Sequence, residues 1–131
     1  MQVTVNQRKH YTQMRADERL AVKTFVASVP YWDMSSRHLS DKQAHCNITQ
    51  SDILYALSNG DVVECHYNNA PDIRIVVRAV RGNRAVCVCV NTRGYVCTAW
   101  TNNCGDNHRT LKMHEYQWNV DLTNVFNRMV P

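Results

Sequence analysis

The chain has 131 residues, a formal net charge of +4 from 15 Lys and Arg against 11 Asp and Glu, and 44% hydrophobic residues. That size suits one domain able to bury its own core, and the mild basic excess is compatible with a polyanion partner. There is no apolar run of roughly 18 residues and no signal-peptide hydrophobic region, so the expectation is a soluble, cytoplasmic protein without membrane contact. Serine hydrolases, zincins and nucleotide hydrolases find no support, because G-x-S-x-G, H-E-x-x-H and a Gly-rich phosphate loop are all missing from the sequence.

In chain order, residues 1–11 are polar and read as a short strand or a loose arm. From Gln13 to Val29 the pattern is helical, with Met14, Leu20, Ala21, Phe25 and Val26 as its apolar stripe and Pro30 as its stop. Trp32, in the bridge Tyr31–Met34, is expected to be a core residue or a staple. Residues 35–64 carry the strongest local signals. Ser35 or Ser36 can cap a short helix that has His38 in its first turn and Lys42 one turn later. Thr49 with Asp52 forms a capping-box-like start to a second helix, in which Ile53, Leu54 and Leu57 share a face. Asn59-Gly60 reads as its stop, through glycine's tolerance of a left-handed cap.

Strand composition begins at Asp61. Asp72–Arg81 alternates Ile73, Ile75, Val77 and Ala79 against Arg74, Val76, Arg78 and Val80, and Gly82-Asn83 is a hairpin turn. Arg84–Val90 is apolar on both faces, as a central strand should be, and Tyr95–Thr101 follows a turn closed by Gly94. Asn102–Thr110 is a loop by composition. Leu122, Val125, Phe126 and Met129 then form one face of a closing helix entered at Val120-Asp121. The predicted class is α+β: N-terminal helices on one face of a four-stranded antiparallel meander, closed by a short C-terminal helix. Residues 1–131 are read as a single domain, with a helical cover (1–34), a helix–helix–four-strand core unit (35–110) and a C-terminal helical segment (111–131).

The six cysteines lack a C-x-x-C pair, so buried thiols are the expected state, with no metal and no cofactor. Cys104, Asp106 and His108 are the one cluster worth inspecting for a metal. If Ile73, Ile75 and Val77 face the helices, Arg74 and Arg78 face the other way, and Thr98 with Trp100 share a face on the last strand. Basic, hydroxyl and aromatic groups so interleaved could floor a site for phosphate and base. Arginines on an exposed strand for solubility, and Trp100 in a core, are the competing readings. His38, at a helix start, and His108, in a post-strand loop, stand out among six histidines. A capping or salt-bridged role for the first and a loop-pinning hydrogen bond for the second are the alternatives.

The residues Ser36-Arg-His-Leu39, Lys42, and I-T-x-x-D-I-x-x-A-L-x-x-G-x-x-V-E from Ile48 to Glu64 resemble a bacterial and phage family of small domains of unknown function. That family is allied to the barnase–EndoU–colicin–RelE group of ribonuclease toxins. The similarity spans roughly residues 35–110, and its C-terminal part is D-x-H-x-T-L, from Asp106 through His108 and Thr110 to Leu111. The usual pattern has arginine at Lys42, which keeps the charge but loses the planar fork. The resemblance implies metal-independent RNA cleavage, with His38 and His108 as acid and base for attack of a ribose 2′-hydroxyl on the adjacent phosphate. Lys42, Arg74 or Arg78 would then stabilise the phosphorane and Thr110 would orient the phosphate. Implied partners are RNA and an immunity- or antitoxin-type protein. The rival expectation is a non-catalytic phage-encoded protein that inhibits a host factor on the same scaffold.

Overall fold

The computed structural model describes residues 7–69, 72–103 and 116–129, except for the side chains of His38, Lys42, His45, Asn68, Asn69 and Asn103. The fold is α+β, with four α-helices and a five-stranded antiparallel sheet among these residues. The order along the chain is β1 (Arg8–His10), a 3-10 turn (Tyr11–Gln13), α1 (Ala16–Ser28), α2 (Arg37–Cys46), α3 (Gln50–Asn59), β2 (Asp61–Asn69), β3 (Asp72–Arg81), β4 (Arg84–Asn91), β5 (Val96–Asn103) and α4 (Leu122–Asn127). Strands neighbour one another in sequence order, β1-β2-β3-β4-β5. The meander is therefore as expected, but it has five strands rather than four. The polar Arg8-Lys9-His10 adds an edge strand to β2 before the helices begin, so the helices do not precede the whole sheet.

All four helices serve one face. α2 lies on β5, α3 on β3 and β4, and α1 on β2 and α4. Ile73, Ile75, Val77 and Ala79 of β3 join Val86, Val88 and Val90 of β4 beneath Val22, Phe25, Leu39, Ile53, Leu57, Leu122 and Phe126. β4 is buried along almost its whole length, which accounts for its apolar run. Trp32 is buried in this core, as expected. Two stripe residues are not: Leu20 and Leu54 point to solvent, and Val22 takes the inward position in α1.

Capping follows the residues closely. Thr49 Oγ1 accepts from Asp52 N–H at 3.0 Å and Asp52 Oδ2 accepts from Thr49 N–H at 3.0 Å, which completes the box at the start of α3. Ser36 caps α2, and the left-handed residue that ends α2 is Asn47 at φ 56°. Gly60, expected to be a left-handed stop, has φ −77°. Glycine is needed there for space: a Cβ would lie 2.4 Å from the Ala56 carbonyl oxygen and 3.0 Å from that of Arg78.

A buried ionic joint ties β1 to the helices. Lys9 Nζ contacts Glu18 of α1 and donates to the Val120 carbonyl at 2.9 Å. The same Glu18 carboxylate accepts from Arg15 N–H at 2.9 Å and from Leu122 N–H at 3.0 Å, at the first residue of α4. Three chain segments thus converge on one carboxylate. No helix among the described residues is long and apolar enough to cross a membrane.

Candidate functional site: the second face of the sheet

Strand alternation sends the other half of the sheet's side chains away from the helices. Across the strands these fall in lateral rows. Arg8, His66, Arg74 and Asn91 stand opposite one another on β1 to β4. The next row is His10, Glu64, Val76, Cys89 and Thr98, and the third is Asp61, Arg78, Cys87 and Trp100. Arg74 is exposed, and Arg78, Thr98 and Trp100 are half-buried. Arg74 and Arg78 therefore share a face, about 13 Å apart along β3 at the usual strand rise.

The middle of this face is apolar. Val63, Val76 and Cys89 form a small second core, with Cys97 and Trp100 packed against it. Two register shifts build it. Val62 pairs with Val77 and Glu64 with Val76, so Val63 is an extra residue in β2. Cys89 pairs with Thr98 and Val90 with Val96, so Cys97 is an extra residue in β5. An inserted residue in one strand lets two side chains face one across the ladder, and it re-aims them. The hydroxyl oxygen of Thr98 is buried beside this strip, with no hydrogen-bond partner among the described residues.

At the β1 edge the face is polar and bonded. Arg8 forks onto Glu64 at 2.8 and 3.1 Å and donates to Tyr116 Oη at 2.7 Å, while Tyr116 Oη donates to Glu64 at 2.8 Å. Tyr116 also lies edge-on to His10. His66 sits between Arg8 and Arg74. Burial holds its imidazole below the ordinary pKa, the Arg8 and Arg74 charges push the same way, and Glu64 opposes them. A neutral imidazole flanked by two guanidinium groups is able to accept a proton beside a bound anion. The sequence alone leaves His66 as a structural or surface residue; its position becomes visible only once the β1–β2–β3 register is known.

At the Arg78 end, where α1 meets the edge of β2, lies a cleft of about 570 Å³ lined by Tyr11, Arg19, Leu20, Lys23, Asp61, Val62, Val63 and Arg78. Lys23 lies 3.6 Å from Asp61, and Arg19 donates to the Met14 carbonyl at 3.0 Å. The cleft pairs cationic walls with the exposed Leu20 and the Tyr11 ring, a combination suited to a planar ring carrying a negative charge.

His38 and Lys42 lie on α2, the helix that packs on β5, and nothing is described of their side chains. His108 and Thr110, and the cluster of Cys104, Asp106 and His108, lie outside the described residues. Among the described residues no group of three or more His, Cys, Asp or Glu side chains is placed to hold a metal. Cys46, Cys65, Cys87, Cys89 and Cys97 are all outside disulfides. No protein-family model, curated protein or solved structure matches this chain.

Proposed function

We propose that the face bearing Arg74 and Arg78, continued into the cleft at Arg78, binds single-stranded RNA. The observation that carries this reading is the shared position of Arg78: it stands in one line with Arg74 on β3 and also forms a wall of the cleft. Phosphates would track the two arginines while a base occupies the cleft against Tyr11 and Leu20. Trp100, in the same row as Arg78, offers a half-buried ring for a second base. The net charge of +4 favours approach of a polyanion.

Metal-independent cleavage is the catalytic extension of this reading. It calls for a proton acceptor and a donor on either side of one phosphate. His38 and His108 are the pair proposed for this from the sequence, and His66 is the histidine lying beside Arg74 on the described face.

The test is a fluorescence-anisotropy titration with a labelled single-stranded RNA, run across a series of salt concentrations with chelator present. Each phosphate contact contributes about 0.7 to the slope of log affinity against log salt. Arg74→Ala and Arg78→Ala should each lower that slope by about this amount. Gel analysis of the same mixtures reads cleavage. Cutting that survives chelator and is lost in His66→Ala, His38→Ala or His108→Ala supports the ribonuclease form, and binding without cutting leaves a binding module. Absence of salt-sensitive binding, or a slope indifferent to both arginines, overturns the proposal.

A further inference from the structure

We propose that Cys89 and Cys97 form a redox dithiol that closes to a cross-strand disulfide on the second face of the sheet. This inference stands independently of the RNA reading. In a regular ladder, Cys97 would face away from Cys89, because Thr98 is the residue opposite Cys89. The extra residue in β5 removes that separation. Cys97 and Thr98 together oppose the single residue Cys89, and Cys97 is carried to the same apolar strip. Thr98, the residue paired with Cys89, stands at the about 4.5–5.5 Å of directly opposed Cα atoms, and Cys97 is its chain neighbour; a disulfide spans about 4.4–6.8 Å.

The two thiols are chemically unequal. The neighbouring Cys89 thiol, and Arg74 with it, bring the Cys97 pKa to about 7 from the ordinary 9.0, against burial and Asp72; its Sγ donates to the Tyr95 carbonyl at 4.0 Å. Cys89 is pushed far up by the neighbouring Cys97 thiol and by burial, and Glu64 adds to the effect while Arg74 offsets part of it. Cys97 is half-buried and Cys89 buried, so Cys97 is the thiol a reagent can meet. The other described thiols of the sheet sit differently, and Cys87 accepts from Asn102 Nδ2 at 3.6 Å. Cys87 stands opposite Trp100, and Cys65 is wholly buried on the helical side, where burial raises its pKa.

A small-molecule disulfide such as oxidised glutathione supplies the oxidant. The Cys97 thiolate attacks one of its sulfurs, a Cys97–glutathione disulfide forms, and one glutathione thiolate leaves. Cys89 then gives up its proton to that thiolate and attacks the Cys97 sulfur. The Cys89–Cys97 bond forms, and the second glutathione leaves as thiolate and takes a proton from water. The protein loses two hydrogens and one glutathione disulfide becomes two thiols.

The wild-type protein tests this directly. It is equilibrated in glutathione mixtures of rising oxidation, alkylated, and mapped by mass spectrometry. Expected is a Cys89–Cys97 cross-link that appears cooperatively and is reversed by reductant. Cys89→Ser should instead accumulate glutathione on Cys97, whereas Cys87→Ser should cross-link as the parent does. With iodoacetamide at pH 7, Cys97 should react about five- to tenfold faster than an ordinary thiol, because half of it is thiolate while its nucleophilicity is somewhat reduced. Unfolding in urea should abolish that advantage. A stable glutathione adduct on wild-type Cys97, a cross-link from Cys97 to any other cysteine, or both thiols remaining reduced in excess oxidant would overturn the proposal.

Discussion

Replacing Glu18 with Gln probes the joint that fastens β1 and α4 to α1. The wild-type carboxylate is acceptor only, and it receives Lys9, the Arg15 N–H and the Leu122 N–H. Glutamine keeps the shape but offers a single acceptor oxygen, and its amide NH2 must point at one of these donors. Lys9, 7% exposed, then retains the Val120 carbonyl but has no counterion in contact. Removing one partner of a buried pair costs about 3–5 kcal/mol, and the retained carbonyl places the expectation near the lower end, at about 3 kcal/mol. Against a total stability on the order of 5–15 kcal/mol this is a large loss, readable as a lower midpoint in urea at unchanged slope. Lys9→Met combined with Glu18→Gln should recover at least about 1 kcal/mol of it, because no buried charge is then left over. A Glu18→Gln variant within about 1 kcal/mol of wild type, or strictly additive effects in the double variant, would refute the view that this pair acts as a unit.

Asp52→Ala should cost about 2–3 kcal/mol in the same assay, since it deletes the α3 capping box and the anchors of Arg81 at 3.0 Å and Arg84 at 2.8 Å from the β3–β4 hairpin. Gly60→Ala should destabilise by about 1–3 kcal/mol despite its ordinary φ, because the new methyl meets two carbonyl oxygens; a neutral result would show that the backbone there shifts freely. Acid should unfold the protein through Glu18 and Asp52. Burial pushes both carboxyls up, but their hydrogen bonds and cationic neighbours outweigh it and hold them below the ordinary 4.5 and 3.8. Their stabilisation is therefore complete above those values and is lost as pH falls through the lower folded ones; Glu18→Gln should flatten that loss in pH-dependent urea melts. Phosphate-bearing ligands on the second face should raise the His66 pKa, visible as a displaced imidazole titration by NMR, and an unmoved titration would separate His66 from the bound anion.

The fold was largely legible where local chemistry is strong. Thr49 with Asp52, Gly82-Asn83 and the alternation of β3 each state one structure, and each is found. The edge strand β1 was harder to read, since Arg8-Lys9-His10 has no apolar pattern of its own. It is held by the Lys9–Glu18 contact and the Arg8–Glu64 fork, whose partners lie 9 and 56 residues away. Leu20 and Leu54 misled because helical spacing leaves two adjacent positions near the boundary of a face, and packing against α4 and β3 selected Val22 and Ile53. Gly60 was assigned to the right place for the wrong reason, as close approach of two carbonyls is a tertiary fact.

The candidate site divides along the same line. Arg74 and Arg78 were readable as facing away from the helices, because period-two alternation within one strand needs no knowledge of its neighbours. Val63 and Cys97 were not, because each is an inserted residue whose direction depends on which partner residue it shares. Continued regularly from the Glu64–Val76 and Cys89–Thr98 pairs, the ladder would turn Val63 and Cys97 to the helical face. The two insertions, on either side of the β3–β4 centre, both turn a side chain onto the second face. They add Val63 and Cys97 to Val76 and Cys89, giving an apolar strip bordered by Arg74, Arg78 and His66. A strip of this kind excludes water next to the cations, which strengthens their attraction for an anion, and it encloses Cys89 with Cys97 packed against it. Removing the extra residue from β5 would undo both at once: deletion of Cys97 should restore regular pairing of β4 with β5 while abolishing the dithiol and exposing Cys89. Alkylation of any thiol of that deletion variant at the rate of wild-type Cys97 would mean that the insertion is not what sets it.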